Sequence, residues 1–272
     1  MKDKISLAGD LGSGKSTVSR LLEKKLGFGY YSTGLAFRAM AAERGMTVVE
    51  LNEYMEKHPE MDRELDDRLV ALSDDPRKLI VDSRMAFHFV RDTFRVYFST
   101  ELETSAARIM GDHRAEESFA TVEEMAAAIL RRKESERKRY FDFYGVDCKD
   151  LSHYDLVVDT TYATPEVIAD YVADAFDEWK KNQGFKACLL SPHRPAYPDT
   201  ADTELAVTLS AALDRGEALP PVTVNEQNGR FFVTENPEVA MAYALADIPF
   251  IPCRLAVAPP PEADYVRMSD SL

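Results

Sequence analysis

Gly9-Asp10-Leu11-Gly12-Ser13-Gly14-Lys15-Ser16 spells G-x-x-x-x-G-K-[ST], and what flanks this stretch decides the fold. Upstream, Ile5-Ser6-Leu7-Ala8 reads as a short buried strand. Downstream, Val18, Leu21, Leu22 and Leu26 recur at helical spacing, and Gly27 is placed to end the helix. A strand, a glycine-rich turn and a helix N-terminus together form a cradle for polyphosphate. The glycines let backbone N–H groups approach an anion, and the first helical turn favours negative charge. In such a cradle Lys15 reaches the β- and γ-phosphates and the Ser16 hydroxyl holds Mg²⁺. The spelling alone also fits a chance glycine-rich turn; the strand and helix on either side favour the phosphate reading. Asp10 is discordant, because a carboxylate in an anion-binding loop must point away from the anion.

Beyond the loop the chain alternates strand and helix signals, which places it as α/β with a parallel sheet between layers of helices. Phe28-Gly29-Tyr30-Tyr31, Lys78 to Asp82, Arg95-Val96-Tyr97-Phe98 and Asp155 to Asp159 read as strands. Helices are expected over 35–72, with a break at His58-Pro59, over 121–142 and over 165–181. Composition then shifts. Residues 184–202 are rich in Pro, Gly, Ser and Asp and read as a linker between a first domain, 1–183, and a small α+β domain, 203–258. The second domain shows two helices, near 203–215 and 237–246. Its strands are expected at 221–224, 230–233 and 250–255, with a hairpin at Asn228-Gly229. Residues 259–272 read as a poorly ordered tail.

The bulk numbers narrow the function classes. The chain has 272 residues and a formal net charge of −14, without the basic footprint of a nucleic-acid binder. No apolar run is long enough to span a membrane, and the charged N-terminus runs straight into the first strand without a signal-peptide pattern. Cys148, Cys188 and Cys253 are scattered without metal spacing, which fits a reducing cytoplasm.

Four further sets of residues carry chemistry. Asp82 closes an apolar strand; beside a phosphate loop such an acid can hold the Mg²⁺ shell or orient an acceptor, although strand-terminal acids are also common in ordinary turns. Arg84 follows it in the next loop. In Ile129 to Tyr140, Arg132, Glu136 and Arg139 lie at i, i+4 and i+7 on one helical face. Two guanidiniums there could clamp a phosphate, with Glu136 accepting from sugar hydroxyls; a solvated face of charge pairs is the plainer alternative. Ser32-Thr33-Gly34 starts a helix that carries Arg38. The hydroxyls can cap that helix, and together with Arg38 they also suit a monophosphate. Arg108 and Arg114 could close over a transferring group as a lid or stand as surface charges.

Taken in order, the loop, STGLAFR, DSR, RVYFSTELETSAARI, RRKESERKRY and YGVDCKDLSHYDLVVDT resemble the cytidylate kinase family of P-loop nucleoside monophosphate kinases, over residues 3–180. The resemblance implies ATP-dependent transfer of a phosphoryl group to a nucleoside monophosphate, with CMP or dCMP the expected acceptor. A kinase for another small metabolite and a nucleotide-sensing switch are the alternatives. It further implies that Gly9, Gly12, Ser13, Gly14, Lys15, Ser16 and Thr17 bind ATP, and that Ser16 and, through water, Asp82 hold Mg²⁺. Thr33, Arg38, Arg84 and Arg139 are expected on the acceptor phosphate, Arg132 and Glu136 on its sugar, and Lys15, Arg108 and Asp82 in catalysis. Two positions depart from the pattern. Ser83 replaces the usual Gly, and Met85 stands where bacterial members carry a base-reading Asp. The C-terminal region loosely resembles the ParB/sulfiredoxin-like fold, but Glu235-Asn236-Pro237-Glu238 replaces a phosphate-binding loop. This implies a non-catalytic module for a regulatory ligand or protein partner.

Overall fold

The computed structural model describes residues 3–47, 50, 51, 54, 58, 60–111, 121–182, 184–260 and 262–267. The first part of the chain contains β1 (Lys4–Gly9), α1 (Lys15–Leu26), β2 (Gly29–Ser32), α2 (Thr33–Glu43), α3 (Glu60–Ala71) and β3 (Leu79–Asp82). Next come a one-turn α4 (Ala86–Phe89), β4 (Thr93–Ser99), α5 (Leu102–Gly111), α6 (Val122–Tyr144), β5 (Leu156–Asp159) and α7 (Pro165–Lys181). The remainder adds β6 (Ala187–Leu190), β7 (Ala196–Pro198), α8 (Thr203–Asp214), β8 (Val222–Gln227), β9 (Arg230–Glu235), α9 (Pro237–Leu245), β10 (Ile251–Ala256) and β11 (Tyr265–Arg267).

Among the described residues eleven strands join one sheet, in the order β11-β7-β9-β8-β10-β6-β5-β4-β1-β3-β2. From β2 to β6 every pairing is parallel. Parallel strands need both faces covered, and the alternation of side chains supplies two apolar faces. Leu7, Val96, Phe98, Leu156 and Val158 pack on one face against Val18 and Leu22 of α1 and Ile168, Val172 and Phe176 of α7. Ala8, Tyr97 and Val157 point to the other face, toward Met85, Phe87, Cys148 and Tyr154. The α7 helix shows how local signals and burial agree. Thr164 caps its N-terminus by accepting from Val167 N–H, Pro165 opens its first turn, and its buried stripe runs from Ile168 to Trp179.

The expected linker is not one. Residues 184–202 hold β6 and β7, and β6 extends the parallel ladder by pairing Ala187, Cys188 and Leu189 with Leu156, Val157 and Val158. The turn residues there flank two very short strands whose Cys188, Leu190, Ala196 and Tyr197 are buried. One apolar cluster runs without a break from Ala8 and Val157 through Leu190, Val222, Phe231 and Val239 to Ile251. The C-terminal strands and helices stand close to where they were expected, but they form a lobe continuous with the first sheet. The expected loose tail also contains structure, since β11 pairs antiparallel with β7. Residues 259–272 had shown no strand pattern because only three of them, Tyr265–Arg267, form this strand.

Among the described residues no helix is long and apolar enough to cross a membrane. Cys148, Cys188 and Cys253 are free and buried, and burial pushes each thiol up, away from nucleophilic use.

Candidate active site

The loop between β1 and α1 has the backbone that its glycines permit. Gly9 has φ 144° and sits opposite Phe98 in the β1–β4 ladder; a Cβ there would fall 2.4 Å from the Phe98 carbonyl oxygen. Gly12 has φ 67° and lies against Ser105 of α5, whose hydroxyl donates to Leu11 O. Gly14, in the left-handed region, is the N-cap of α1 and faces open space, with no side chain capping the helix. Thr17 N–H donates to Gly14 O at 3.0 Å, and the Lys15 and Ser16 amides of the first turn are left available to an anion. Lys15 arches back over the loop and donates to Gly9 O at 3.1 Å and Asp10 O at 2.8 Å. Burial pulls its ammonium down to about 8, partly countered by the charge of Asp82.

Asp10 points away from this cradle, which resolves the discord in the motif. Its side chain is 6% exposed and ties three elements together. Oδ1 accepts from Tyr97 OH at 3.1 Å, Lys149 Nζ at 3.0 Å and Lys133 Nζ at 2.9 Å, and Oδ2 accepts from Thr100 N–H at 3.0 Å. Burial alone would raise the carboxyl, but Lys149 and Lys133 outweigh it and hold the group well below the ordinary carboxylate range. Lys133 lies off the helical face that carries Arg132, Glu136 and Arg139, and Lys149 lies in the loop before β5.

On the β3 side of the loop, Asp82 accepts a hydrogen bond from Tyr30 OH at 2.8 Å, and the Ser32 and Ser16 hydroxyls lie near that same phenol oxygen. Ser16 and Asp82 thus share a neighbour that no sequence pattern had marked. Ser32 caps α2 by accepting from Leu35 N–H, while the Thr33 hydroxyl lies 3.4 Å from Asp82 O. Arg38, one turn into α2, lies with its guanidinium over Gly34. Arg84 forms an ion pair with Glu136 of α6, and Arg132 Nε reaches the same carboxylate at 3.0 Å. Burial works against the Glu136 charge, yet the two guanidiniums hold its carboxyl below the usual range. Arg139 stands beside Tyr140, with its guanidinium carbon 5.3 Å from the ring centroid. The structure therefore gathers Arg84, Arg132 and Glu136, and sets Thr33 against the last residue of β3, with Arg38 further along α2. Met85 is a core residue, buried among Ala8, Phe87 and Tyr97.

Arg108 lies on the opposite side of the loop. It donates to Thr160 O at 2.8 Å and Thr161 O at 3.1 Å, at the end of β5. Arg114 lies outside the described residues.

The donor set suits Mg²⁺ shared with phosphates. Ser16 and Asp82 offer a hydroxyl and a carboxylate, both hard oxygen ligands, and Mg²⁺ usually takes one or two carboxylates beside substrate phosphates. No group of three or more His, Cys, Asp or Glu among the described residues is placed to hold a metal without such help.

Residues 4–162 match the model of the cytidylate kinase-like family. The chain belongs to that family. It is 34% identical over 191 residues to the cytidylate kinase of Thermoplasma volcanium, covering 69% of this chain and 98% of that protein. A match of 34% identity over 179 residues joins 65% of this chain to 37% of the S-adenosylmethionine-dependent nucleotide dehydratase of Lacinutrix mariniflava. A sulfiredoxin from Arabidopsis thaliana overlaps 26% of this chain and covers 85% of its own, with 16% identity and a TM-score of 0.24, too slight a likeness to argue from. Membership of the family makes this P-loop protein a kinase.

Proposed function

We propose that the chain transfers the γ-phosphoryl group of ATP to a nucleoside monophosphate, with CMP or dCMP as acceptor. The observation that carries this reading is a second cationic site beside the phosphate cradle. Arg84 and Arg132 converge on Glu136, and Thr33 at the end of β3, with Arg38 further along α2, adds to this side of the loop. Two anion sites on either side of one loop suit a donor and an acceptor that both carry phosphate. The cytidine base rests on the kinship with cytidylate kinases.

In the reaction an acceptor phosphate oxygen attacks the γ-phosphorus, the bond from that phosphorus to the β-bridging oxygen breaks, and ADP leaves with the negative charge. Such a reaction needs positioning and charge neutralisation, with no covalent intermediate on the protein. Lys15 and the α1 amides hold the donor phosphates in line. Ser16 and, through water, Asp82 would hold Mg²⁺, which supplies charge neutralisation at the β- and γ-phosphates. Glu136 keeps the Arg84 and Arg132 forks aimed and charged until the acceptor arrives, and then turns to its sugar hydroxyls. Arg108, one to two turns from the loop along α5, offers a guanidinium to the transferring group once it leaves the Thr160 and Thr161 carbonyls. The chain is proposed to work in the cytoplasm, where its three buried thiols stay reduced.

The C-terminal lobe supplies no phosphate site of its own in this scheme. At the start of α9, Asn236 donates to Pro221 O and Glu238 accepts from Asp202 N–H, so the acidic stretch is engaged internally.

Arg139→Ala tests the acceptor side. The KM for CMP is expected to rise about tenfold while the KM for ATP stays within twofold, as loss of a charged hydrogen bond to one substrate requires. A rise confined to the ATP KM would place Arg139 on the donor.

A further inference from the structure

The C-terminal lobe continues the sheet past β5 through β6 and β10, and its contacts at the C-terminal end of β5 border the phosphate cradle. The sheet order puts β3 and β2, with Asp82 and the acceptor groups Arg84, Thr33 and Arg38, on one side of β1. The other side holds β4 and β5, so a triphosphate anchored at Lys15 extends its nucleoside over their C-terminal ends, the usual ligand crevice of a parallel sheet.

The segment that bounds this crevice, Thr160-Thr161-Tyr162, is gripped from two directions. From α5, Arg108 donates to Thr160 O and Thr161 O. From the turn between β6 and β7, Arg194 of the lobe donates to Thr161 Oγ1 at 3.3 Å and to Gly229 O at 2.9 Å. Arg194 also lies 3.5 Å from Glu101 Oε1, and Arg267 of β11 lies 3.0 Å from that same oxygen. Glu101 N–H in turn donates to Thr161 Oγ1 at 3.1 Å. Asp159 accepts from Thr161 N–H at 3.0 Å and from Ser191 N–H of the lobe at 3.3 Å. Beyond the grip, Tyr162 meets His193 edge-on, with ring centroids 5.9 Å apart.

Arg194 is 3% exposed, and burying a guanidinium is costly unless its geometry is fully used. Here the planar fork spans a hydroxyl of the first sheet and a carbonyl of the β8–β9 hairpin, a span a lysine ammonium does not reproduce. We infer that the C-terminal lobe completes the donor side of the active site, with Arg194 as the positioning residue that sets the Thr160–Tyr162 segment against the donor nucleotide. This rests on the reading of Lys15 and its loop as the ATP site. It gives the appended lobe a catalytic reason to be continuous with the sheet.

The test uses the full chain carrying Arg194→Lys, with Glu101→Gln as a second variant that loosens the same grip without opening a cavity. Asn225→Ala serves as the stability control. It removes hydrogen bonds to Ala256 O and Ala258 O inside the lobe and touches nothing at Thr161. KM for ATP, KM for CMP and the melting temperature are measured for each, and Kd for ATP by calorimetry. For R194K the ATP KM and Kd are expected to rise about tenfold, with the CMP KM within twofold. N225A is expected to lower the melting temperature without moving the ATP constants. If R194K does not fold, the same split in E101Q decides. Unchanged ATP constants in the variants, or equal rises in R194K and N225A, would overturn the inference. Should the wild-type chain phosphorylate no monophosphate, the proposed reaction falls, and the ratio of ATP Kd values between R194K and wild type still decides this point.

Discussion

Lys15→Ala is expected to abolish phosphoryl transfer, lowering kcat on the order of 10³-fold, the scale of losing one preorganised donor on a developing charge. Gly12 and Gly14 take left-handed φ values, the loop wraps the N-terminus of α1, and Lys15 closes it from above through Gly9 O and Asp10 O. Those carbonyls hold the ammonium in place before any ligand arrives, and its partial burial makes it a stronger partner for phosphate than an exposed lysine. The same geometry says why the fold survives. Lys15 sits at the rim of the loop, and the alanine variant forfeits two hydrogen bonds to loop carbonyls, about 1–2 kcal/mol. Steady-state kinetics and a thermal melt on the same sample check both halves. Unimpaired turnover would remove the loop from the mechanism.

Asp10→Ala is expected to cost about 3 kcal/mol of stability, the lower end for a broken buried ion pair, because Lys133 and Lys149 retain some exposure. The loss leaves two ammoniums beside Lys15 without their counter-ion and takes from Tyr97 the oxygen to which its hydroxyl donates. The pH dependence follows from the depressed carboxyl. A group whose folded pKa lies below its unfolded value contributes stability that is complete above the unfolded value, near 4, and is lost as pH falls toward the folded one. The difference in unfolding free energy between wild type and variant should hold steady from about pH 7 to 5 and shrink below about pH 4. A difference under about 1 kcal/mol at neutral pH, or one unaltered at pH 3, would show that Asp10 is not the tie between the loop, β4 and α6.

Much of this architecture was legible in the chain because local and global signals agree there. The stretch from Ile5 to Leu26 carries a buried strand, three glycines at turn positions and a helical apolar stripe, and each demands the same unit. The acidic end of β3 and the i, i+4, i+7 face of α6 are likewise local patterns, and the structure does bring Arg84, Arg132 and Glu136 together. What stayed hidden depends on contacts between distant segments. Asp10 read as an anomaly because its partners, Tyr97, Lys133 and Lys149, lie 87 or more residues away. Tyr30 looked like a strand residue, yet its hydroxyl donates to Asp82 beside the phosphate loop. The β6 and β7 strands are four and three residues long, too short for alternation to stand out among prolines and serines. Turn chemistry therefore suggested a linker where the sheet continues, and Arg194 with its grip on Thr161 went unseen.

On the proposed reading one loop serves a phosphate donor while an arginine cluster beside it serves a monophosphate acceptor. A coupled assay of ADP release from MgATP, with CMP, dCMP, UMP, AMP and GMP offered in turn and ATP binding followed by calorimetry, tests both sites at once. Stoichiometric ADP and nucleoside diphosphate formation is expected with CMP and dCMP, faster than with any purine monophosphate. ATP binding without turnover of any monophosphate would contradict it.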